Sequence, residues 1–253
     1  MQQNPDPPPA LSVVIPAYNE ADRILATLQR VDQYLNARGV AFEVLVVDDG
    51  SSDSTAEVTR QFGAAHPAFH LLSYHANRGK GFAVRYGVLR AVGDLVLFSD
   101  ADLATPIEEV EKLEAALTTP MEIAIGSRDM AGSQLLRHQS PLREFGGKLF
   151  NRIVRVVAVP GIHDTQCGFK LFPRAVAHQV FGLCRVDSFA FDVELLYVAR
   201  QVFGIHIREV PVRWAHQEGS KVRFFRDAIR MLKTLVRIRI TRYRPSAAPP
   251  TTP

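Results

Sequence analysis

The sequence contains few cysteines and no long apolar run. Cys167 and Cys184 are the only two cysteines among 253 residues. They are too few for a disulfide framework, so we expect reduced thiols in a cytosolic protein. No stretch approaches the ~20 apolar residues of a membrane-spanning helix, and no charged-then-apolar signal peptide opens the sequence. We therefore expect a cytoplasmic protein that lies on a membrane surface without spanning it.

Common nucleotide-binding and hydrolase motifs are absent as well. The sequence lacks the G-x-x-x-x-G-K-[ST] loop of ordinary ATPases, and no G-x-G-x-x-G follows the first predicted strand, which argues against a nicotinamide dehydrogenase. It also lacks a G-x-S-x-G elbow, a C-x-x-C pair and any metal-ligand spacing among its eight histidines. A catalytic site must therefore be built from other residues.

Apolar strands alternate with helical patterns in the first half of the chain. The predicted strands are residues 11–18, 42–50, 69–74, 94–100 and 121–128. The second of them is continuously apolar, as in a sheet that is covered on both faces. Repeated β-α units predict an α/β fold with a mostly parallel, Rossmann-like sheet flanked by helices and joined by right-handed crossovers.

The pattern changes after Arg128. We predict a loop at 130–141, a basic amphipathic helix at 142–159, a loop and short strand at 161–173, a helix at 188–203 and a strand at 205–214. The proline-rich ends, residues 1–10 and 245–253, are expected to be disordered because such segments cannot bury a core.

Acidic residues follow two of the predicted strands. Asp100 and Asp102 end one strand, and Asp48 and Asp49 end another. Ligands of parallel sheets bind outside the carboxyl ends of the strands, and two carboxylates so placed can share a hard divalent cation such as Mg²⁺ or Mn²⁺. A helix cap with a solvated loop acid is the alternative for Asp100 and Asp102. A tight turn is the alternative for Asp48.

An aromatic and two cations accompany these acids. Tyr18 follows the first strand, where its ring either stacks on a nucleobase or packs in the core. Arg78 and Lys80 lie in the glycine-rich stretch "NRGKGFAVRYG" before a predicted helix. A helix start with nearby cations is suited to an anionic ligand.

Basic residues are concentrated near the end of the chain. Residues 221–244 hold nine Lys or Arg and one acid, Asp227. On a helix over 222–238, one broad face carries Phe224, Phe225, Ala228, Ile229, Leu232, Leu235 and Val236, and the opposite face carries Arg223, Arg226, Arg230, Lys233 and Arg237. Such a segment is typical of a helix on an anionic membrane surface. Packing on the core or on a second subunit is the alternative.

Four first-half motifs together resemble family 2 glycosyltransferases: "VVIPAYNE", "VVDDGSSDST", "NRGKGFAVRYG" and "DADLATP". "DTQCGFKLF", "FDVELLYVA" and "EVPVRWAHQEGSKV" further resemble the dolichyl-phosphate β-glucosyltransferase branch of that family. The resemblance covers about residues 11–235. It implies the GT-A fold, with a C-terminal acceptor-side extension and a basic amphipathic helix.

The resemblance also implies roles for individual residues. Around the nucleoside it places Pro16, Tyr18, Glu20 and Asp48, with Arg78 and Lys80 as further donor-binding residues. Asp100 is expected to contact the ribose or the metal, Asp102 to hold the metal, and Arg128 to approach the phosphates. Related mannosyl-transferring enzymes often have a further Gln ligand where this chain has Ala104.

The implied reaction transfers a hexose, with UDP-glucose as the expected donor, to a polyprenyl phosphate in an inverting, metal-dependent step. A phosphate acceptor, with a second pKa of about 6, needs cations rather than a strong base. The acceptor-binding candidates are Arg143, Lys148, Asp164 and Lys170; a solvated helix face is the alternative for the first two. The partners would be the nucleotide sugar, the lipid phosphate and the cytoplasmic face of a membrane, and no nucleic acid.

Other functions remain open at this point. They are a GDP-mannose-dependent polyprenyl-phosphate mannosyltransferase, a transferase of the same fold that uses a sugar hydroxyl, and a non-catalytic nucleotide-sugar sensor. The expected organisation is a tail at 1–10, a nucleotide-sugar-binding subdomain at 11–130, an acceptor-binding subdomain at 131–221, an interfacial helix at 222–244 and a tail at 245–253.

Overall fold

A seven-stranded sheet forms the centre of the protein in the computed structural model, which describes residues 8–137, 159–215 and 233–244. The strand order is β3-β2-β1-β4-β7-β5-β8, and β6 pairs with β9 in a separate two-stranded sheet. The strands are β1 Leu11–Ala17, β2 Phe42–Asp48, β3 Phe69–Ser73, β4 Leu95–Ser99, β5 Glu122–Ser127, β6 Gln134–Arg137, β7 Phe169–Pro173, β8 His206–Pro211 and β9 Arg213–Ala215.

Helices cover both faces of the large sheet. They are α1 Ala21–Arg38, α2 Thr55–Ala65, α3 Lys80–Val88, α4 Val110–Ala116, α5 Arg174–Phe181 and α6 Phe191–Tyr197. A 3₁₀ turn, Ile107–Glu109, precedes α4, and a π-type turn, Val198–Val202, extends α6. One face of the sheet packs on α3, α5 and α6 and the other on α1 and α4, so the strands are apolar on both sides.

The predicted α/β fold with a mostly parallel sheet is confirmed, and β7 is the exception within it. β7 pairs antiparallel with β4 on one side and with β5 on the other. Lys170 lies opposite Phe98 in β4 and opposite Ile125 in β5. Because β7 runs against its neighbours, the loop before it lies at the same edge as the carboxyl ends of β4 and β5.

The second half of the chain differs from the sequence prediction in three elements, one of which is the unpredicted helix α5. The predicted loop at 130–141 contains β6, and the predicted strand at 205–214 divides after Pro211 into β8 and β9, which belong to different sheets. β7 and β8 are strands of the large sheet. Within the described ranges, the expected border at residue 130 therefore does not separate two sheets.

The described part of the C-terminal segment packs against this body. Residues 233–240 are helical, and Leu235 and Ile238 are 2% and 1% exposed in the core cluster that contains α6. The Tyr243 hydroxyl donates to Glu194 Oε1 at 2.8 Å. Val236 and Ile240 face away from the core, with 59% and 73% of their surface exposed. Leu235, expected on the membrane face, instead packs inward.

Two predicted helical segments fall largely or wholly outside the described residues, namely 142–159 and the part of 222–238 before residue 233. Across the described ranges, no helix combines the length and the apolar character that crossing a bilayer requires.

Candidate active site

The predicted site residues of four strands meet at one edge of the sheet. Tyr18 follows β1, Asp48 ends β2, Asp100 follows β4 and Arg128 follows β5. These strands share one direction, β5 because it and β4 are both antiparallel to β7, so their carboxyl ends face the same crevice. The inverted β7 adds the loop 164–168 to this edge.

Backbone hydrogen bonds shape the part of the site at β1 and β2. The Ser51 N–H donates to Asp48 Oδ1 at 3.1 Å, and the Asn19 N–H donates to Ser51 Oγ at 2.9 Å. Asn19 has a φ of 52°, a left-handed conformation that Asn tolerates. The turn leaves Tyr18 exposed at 38%, so the core alternative for this ring is wrong. Pro16 in β1 and Glu20 just before α1 are both half-buried.

Asp49 fixes the loop that carries Arg78 and Lys80. Its carboxylate is 3% exposed and accepts hydrogen bonds from the Tyr74 hydroxyl at 2.9 Å, the Arg78 N–H at 2.7 Å and the Gly79 N–H at 2.9 Å. Burial and the bond to Asp49 raise the pKa of Tyr74. The Arg78 guanidinium carbon lies 3.4 Å from the centroid of the Phe82 ring. Asp49 therefore fixes the position of the loop that carries Arg78 and Lys80.

Lys80 compensates the acidic end of β4. Its Nζ lies 2.6 Å from Asp100 Oδ1. Burial would lower the pKa of Lys80, but the charges of Asp100, Asp192 and Asp102 outweigh it and raise that pKa. Burial and the neighbouring charge of Asp100 raise the pKa of Asp102, although the Ala104 N–H donates to Asp102 Oδ1 at 3.0 Å. A cation at this position is therefore favoured electrostatically.

Gly168, just before β7, lies directly against Asp100. The Asp100 N–H donates to the Gly168 carbonyl at 3.1 Å. A Cβ at position 168 would meet Asp100 Oδ2 at 2.0 Å, so only glycine allows this approach.

Arg128 is held by Asp164. The guanidinium donates from Nε to Asp164 Oδ2 at 2.6 Å and from Nη2 to Oδ1 at 2.9 Å, and the Arg128 N–H donates to Oδ2 at 3.0 Å. Asp164 is fully buried; burial would raise the pKa of its carboxyl, but Arg128 holds it below the usual range. The Arg128 guanidinium carbon also lies 5.4 Å from the centroid of the Trp214 ring.

The structure corrects two of the acceptor-binding predictions. Lys170 is fully buried, and its Nζ contacts Asp192 Oδ1 at 2.5 Å and the Cys167 carbonyl at 2.6 Å. Both oxygens of the Asp164 carboxylate accept hydrogen bonds from the Arg128 guanidinium. Neither side chain reaches the surface, so neither is placed to contact an acceptor directly. Arg143 and Lys148 lie outside the described residues.

Three residues of the site were not singled out from the sequence for the role they have. Asp49 had no assigned role beyond ending its strand beside Asp48, and Asp192 resembled an ordinary acid in the first turn of a helix. Only Gly168, within the quoted "DTQCGFK" stretch, shows a residue type that a close backbone approach requires.

A divalent cation fits Asp100 and Asp102. Their carboxylates follow one strand, Lys80 already places a positive charge against Asp100, and burial disfavours a second uncompensated negative charge at Asp102. Carboxylate oxygens are the ligands that Mg²⁺ prefers in proteins. The described residues contain no group of three or more His, Cys, Asp or Glu arranged around one metal position, so phosphate oxygens and water would complete the coordination.

The model of the family described as "Glycosyl transferase family 2" matches residues 12–181. The chain belongs to glycosyl transferase family 2. Among curated relatives, the dolichyl-phosphate β-glucosyltransferase of Homo sapiens is 39% identical over 247 residues, covering 92% of this chain and 76% of the relative. That of Saccharomyces cerevisiae is 38% identical over 248 residues, covering 91% and 74%. The predicted family and branch are confirmed.

Solved structures of glycosyltransferases share the fold. Glucosyl-3-phosphoglycerate synthase from Mycobacterium tuberculosis, solved with Mn²⁺, UDP and glucosyl-3-phosphoglycerate, superimposes with a TM-score of 0.65 at 18% identity, covering 91% of this chain and 80% of that one. Mannosyltransferase PcManGT from Pyrobaculum calidifontis, solved with GDP-Man and Mn²⁺, gives a TM-score of 0.61 at 22% identity, covering 95% and 67%. The predicted GT-A fold is confirmed by these likenesses.

Proposed function

We propose that this family 2 glycosyltransferase moves glucose from UDP-glucose onto a polyprenyl phosphate in one inverting, metal-dependent step. The observation that carries the proposal is the acidic pair Asp100 and Asp102, with Lys80 against Asp100 and with Arg128 held by Asp164 at the same edge of the sheet. A nucleoside diphosphate needs carboxylates that hold its metal ion and cations that contact its phosphates, and both kinds of group lie at this edge of the sheet. The names of the relatives supply the sugar and the lipid acceptor.

Asp102 and Asp100 are the residues that would hold the cation; both follow β4, and Lys80 Nζ lies 2.6 Å from Asp100 Oδ1. When bound, the cation neutralises the charge that develops on the leaving diphosphate. Tyr18 offers an exposed ring for a nucleobase. Asp48, 4% exposed and with its Oδ1 accepting from the Ser51 N–H, is the carboxylate that we assign to hydrogen bonds from the nucleoside. Arg128 keeps its guanidinium in a fixed orientation through Asp164. We assign it to the phosphates.

The reaction is a displacement at the anomeric carbon. An oxygen of the acceptor phosphate attacks that carbon, and the bond from the carbon to the terminal phosphate oxygen of UDP breaks, with the electron pair leaving on UDP. An α-linked donor thus gives a β-linked product. A phosphate monoester is already a dianion above its second pKa of about 6, so no residue needs to remove a proton. Asp192 is not placed to act as such a base, because it is buried and its Oδ1 contacts Lys170 Nζ.

The acceptor assay tests the proposal directly. UDP-glucose, UDP-galactose, UDP-N-acetylglucosamine and GDP-mannose are each supplied with polyprenyl phosphate, and with a soluble sugar, in Mg²⁺ or Mn²⁺. We expect transfer from UDP-glucose to the lipid phosphate, and loss of transfer with a chelator. Preferred transfer from GDP-mannose would overturn the assignment of UDP-glucose as the donor. Preferred transfer to the soluble sugar would overturn the assignment of the lipid phosphate as the acceptor.

We further propose that residues 233–244 contact the membrane that holds the lipid. Val236 and Ile240 are exposed apolar side chains one helical turn apart. Exposed basic residues surround them, namely Lys233, Arg237, Arg239, Arg242 and Arg244. Each such charge near an anionic bilayer adds about 1 kcal/mol of attraction, which salt weakens.

Liposome flotation tests this contact. Val236→Ser together with Ile240→Ser is expected to reduce flotation with anionic vesicles while leaving UDP binding unchanged. Met121→Ser is the matched control, since Met121 is 50% exposed just before β5. Equal flotation of all three proteins would remove the contact from these two side chains.

A further inference from the structure

A buried ion pair lies beneath the acidic end of β4. Lys170 and Asp192 are 0% and 4% exposed, and Lys170 Nζ lies 2.5 Å from Asp192 Oδ1. Removing two charges from water is costly, and such a pair often contributes no more stability than apolar residues of the same size. Its presence therefore calls for a reason other than stability.

Lys170 also holds a loop. Its Nζ donates to the Cys167 carbonyl at 2.6 Å, so the ammonium fixes the backbone one residue before Gly168. Asp192 comes from the first turn of α6, on the face of the sheet that packs on that helix. The pair thus connects a helix to the loop 164–168.

That loop touches both parts of the phosphate side of the site. At its start, Asp164 orients the Arg128 guanidinium through two hydrogen bonds. At its end, Gly168 receives the Asp100 N–H and lies against the Asp100 carboxylate. A shift of this loop would therefore move an expected metal ligand and an expected phosphate ligand together.

Electrostatics links the pair to Lys80 as well. The Phe98 ring centroid lies 5.3 Å from Lys80 Nζ and 5.7 Å from Lys170 Nζ. The charge of Asp192 acts on Lys80 in the same direction as that of Asp100. Negative and positive side chains thus alternate from the expected metal position into the core, in the order Asp100, Lys80, Asp192 and Lys170.

We propose that Lys170 and Asp192 are positioning residues, which set Asp100 and Arg128 for transfer through the loop 164–168. This inference rests on the proposed function, because it assigns the pair to the donor and metal side of that reaction. Neither residue contacts substrate. The pair acts by fixing the carbonyl of Cys167 and, beyond it, the position of Gly168 against Asp100.

The double variant Lys170→Met with Asp192→Asn tests the proposal on the full chain. It removes both charges at similar volume, so the fold is expected to persist. We expect kcat for glucose transfer to fall about tenfold or more, because small misplacements of site residues cost that much. The KM for UDP-glucose should change less than kcat. The Mn²⁺ concentration for half-maximal UDP binding, measured by calorimetry without acceptor, should increase.

Glu122→Gln is the matched control. Glu122 is a buried carboxylate paired with Arg208 at 2.7 Å, at the opposite end of β5 from Arg128. A merely structural pair would behave like this control and change only the melting temperature. Normal kcat together with a normal Mn²⁺ requirement in the double variant would overturn the proposal.

Gly168→Ala decides the matter should the double variant fail to fold. Its methyl group would displace Asp100 from the loop side without altering the buried charges. We expect the same loss of kcat and the same higher Mn²⁺ requirement, and normal values for both would also overturn the proposal. If wild-type protein binds UDP with Mn²⁺ but transfers to no lipid phosphate, the proposed acceptor is wrong, while the Mn²⁺ comparison still tests the pair.

Discussion

At the end of β2, the carboxylates of Asp48 and Asp49 accept hydrogen bonds from backbone N–H groups, whereas at the ends of β4 and β5 the carboxylates of Asp100 and Asp164 pair with an ammonium and a guanidinium group. Asp48 and Asp49 accept from the backbone of Ser51, Arg78 and Gly79. Asp100 and Asp164 pair with Lys80 and Arg128. The first arrangement keeps one geometry regardless of ligand charge. The second offers cations that a diphosphate can also bind, which suits the part of a site where charge develops.

The largest effect on activity is expected from removing Asp102, the carboxylate that we assign to the cation. Asp102→Ala should lower kcat about a thousandfold, since charge stabilisation at the leaving group is lost. The fold should persist, because Asp102 is itself destabilised by burial and by Asp100. Turnover and a thermal melt measure the two effects. Glu57→Gln, exposed on α2, is the control, and near-normal turnover of Asp102→Ala at low metal would contradict the assignment.

Asp164→Asn probes the ion pairs of the phosphate side. It leaves the Arg128 charge uncompensated, so the free energy of unfolding should fall by about 3 kcal/mol. The folded-state pKa of Asp164 is depressed, so its stabilisation is present above the ordinary Asp pKa of about 3.9 and is lost as pH falls below it. Urea unfolding at neutral and at acid pH should therefore show a gap between wild type and variant that narrows in acid. A constant gap would argue against the ion pair.

Asp48→Ala tests whether Asp48 binds the nucleoside. Loss of a charged hydrogen-bond acceptor should weaken UDP binding about tenfold, while kcat at saturating donor stays near normal. Calorimetric titration with UDP and steady-state kinetics separate the two quantities. An unchanged affinity for UDP would remove Asp48 from the nucleoside site.

The smallest effect is expected far from the crevice. Hydrogen bonds from Arg208 and Thr118 lower the pKa of Glu122 to about 2. A depressed folded-state pKa gives stability above the ordinary value of 4.5, which is lost as pH falls towards 2. Glu122→Gln should therefore flatten the stability profile between these two pH values without altering transfer. Acid titration followed by circular dichroism provides the measurement, and parallel profiles would contradict it.

The sequence allowed the strand ends of the first half to be located, because an apolar run that stops at Asp48 or Asp100 is a local pattern. It did not allow the partners of Asp164 and Lys170 to be identified. Those partners lie 36 and 22 residues away in the sequence. The spacing of residues along the chain does not reveal that β7 is antiparallel to its neighbours, and so it does not reveal which side chains β7 brings together. Both residues were therefore assigned to the acceptor, whereas the structure buries both side chains.

The position of β7 has a consequence for synthesis of the chain. β7 joins β4 to β5 in the sheet but follows both in the sequence. As the chain leaves the ribosome, β3, β2, β1 and β4 can pair in turn, while β5 has no partner in the large sheet until residue 173 has emerged. A nascent or truncated chain that stops near residue 130 exposes the unpaired edge of β4, which promotes aggregation.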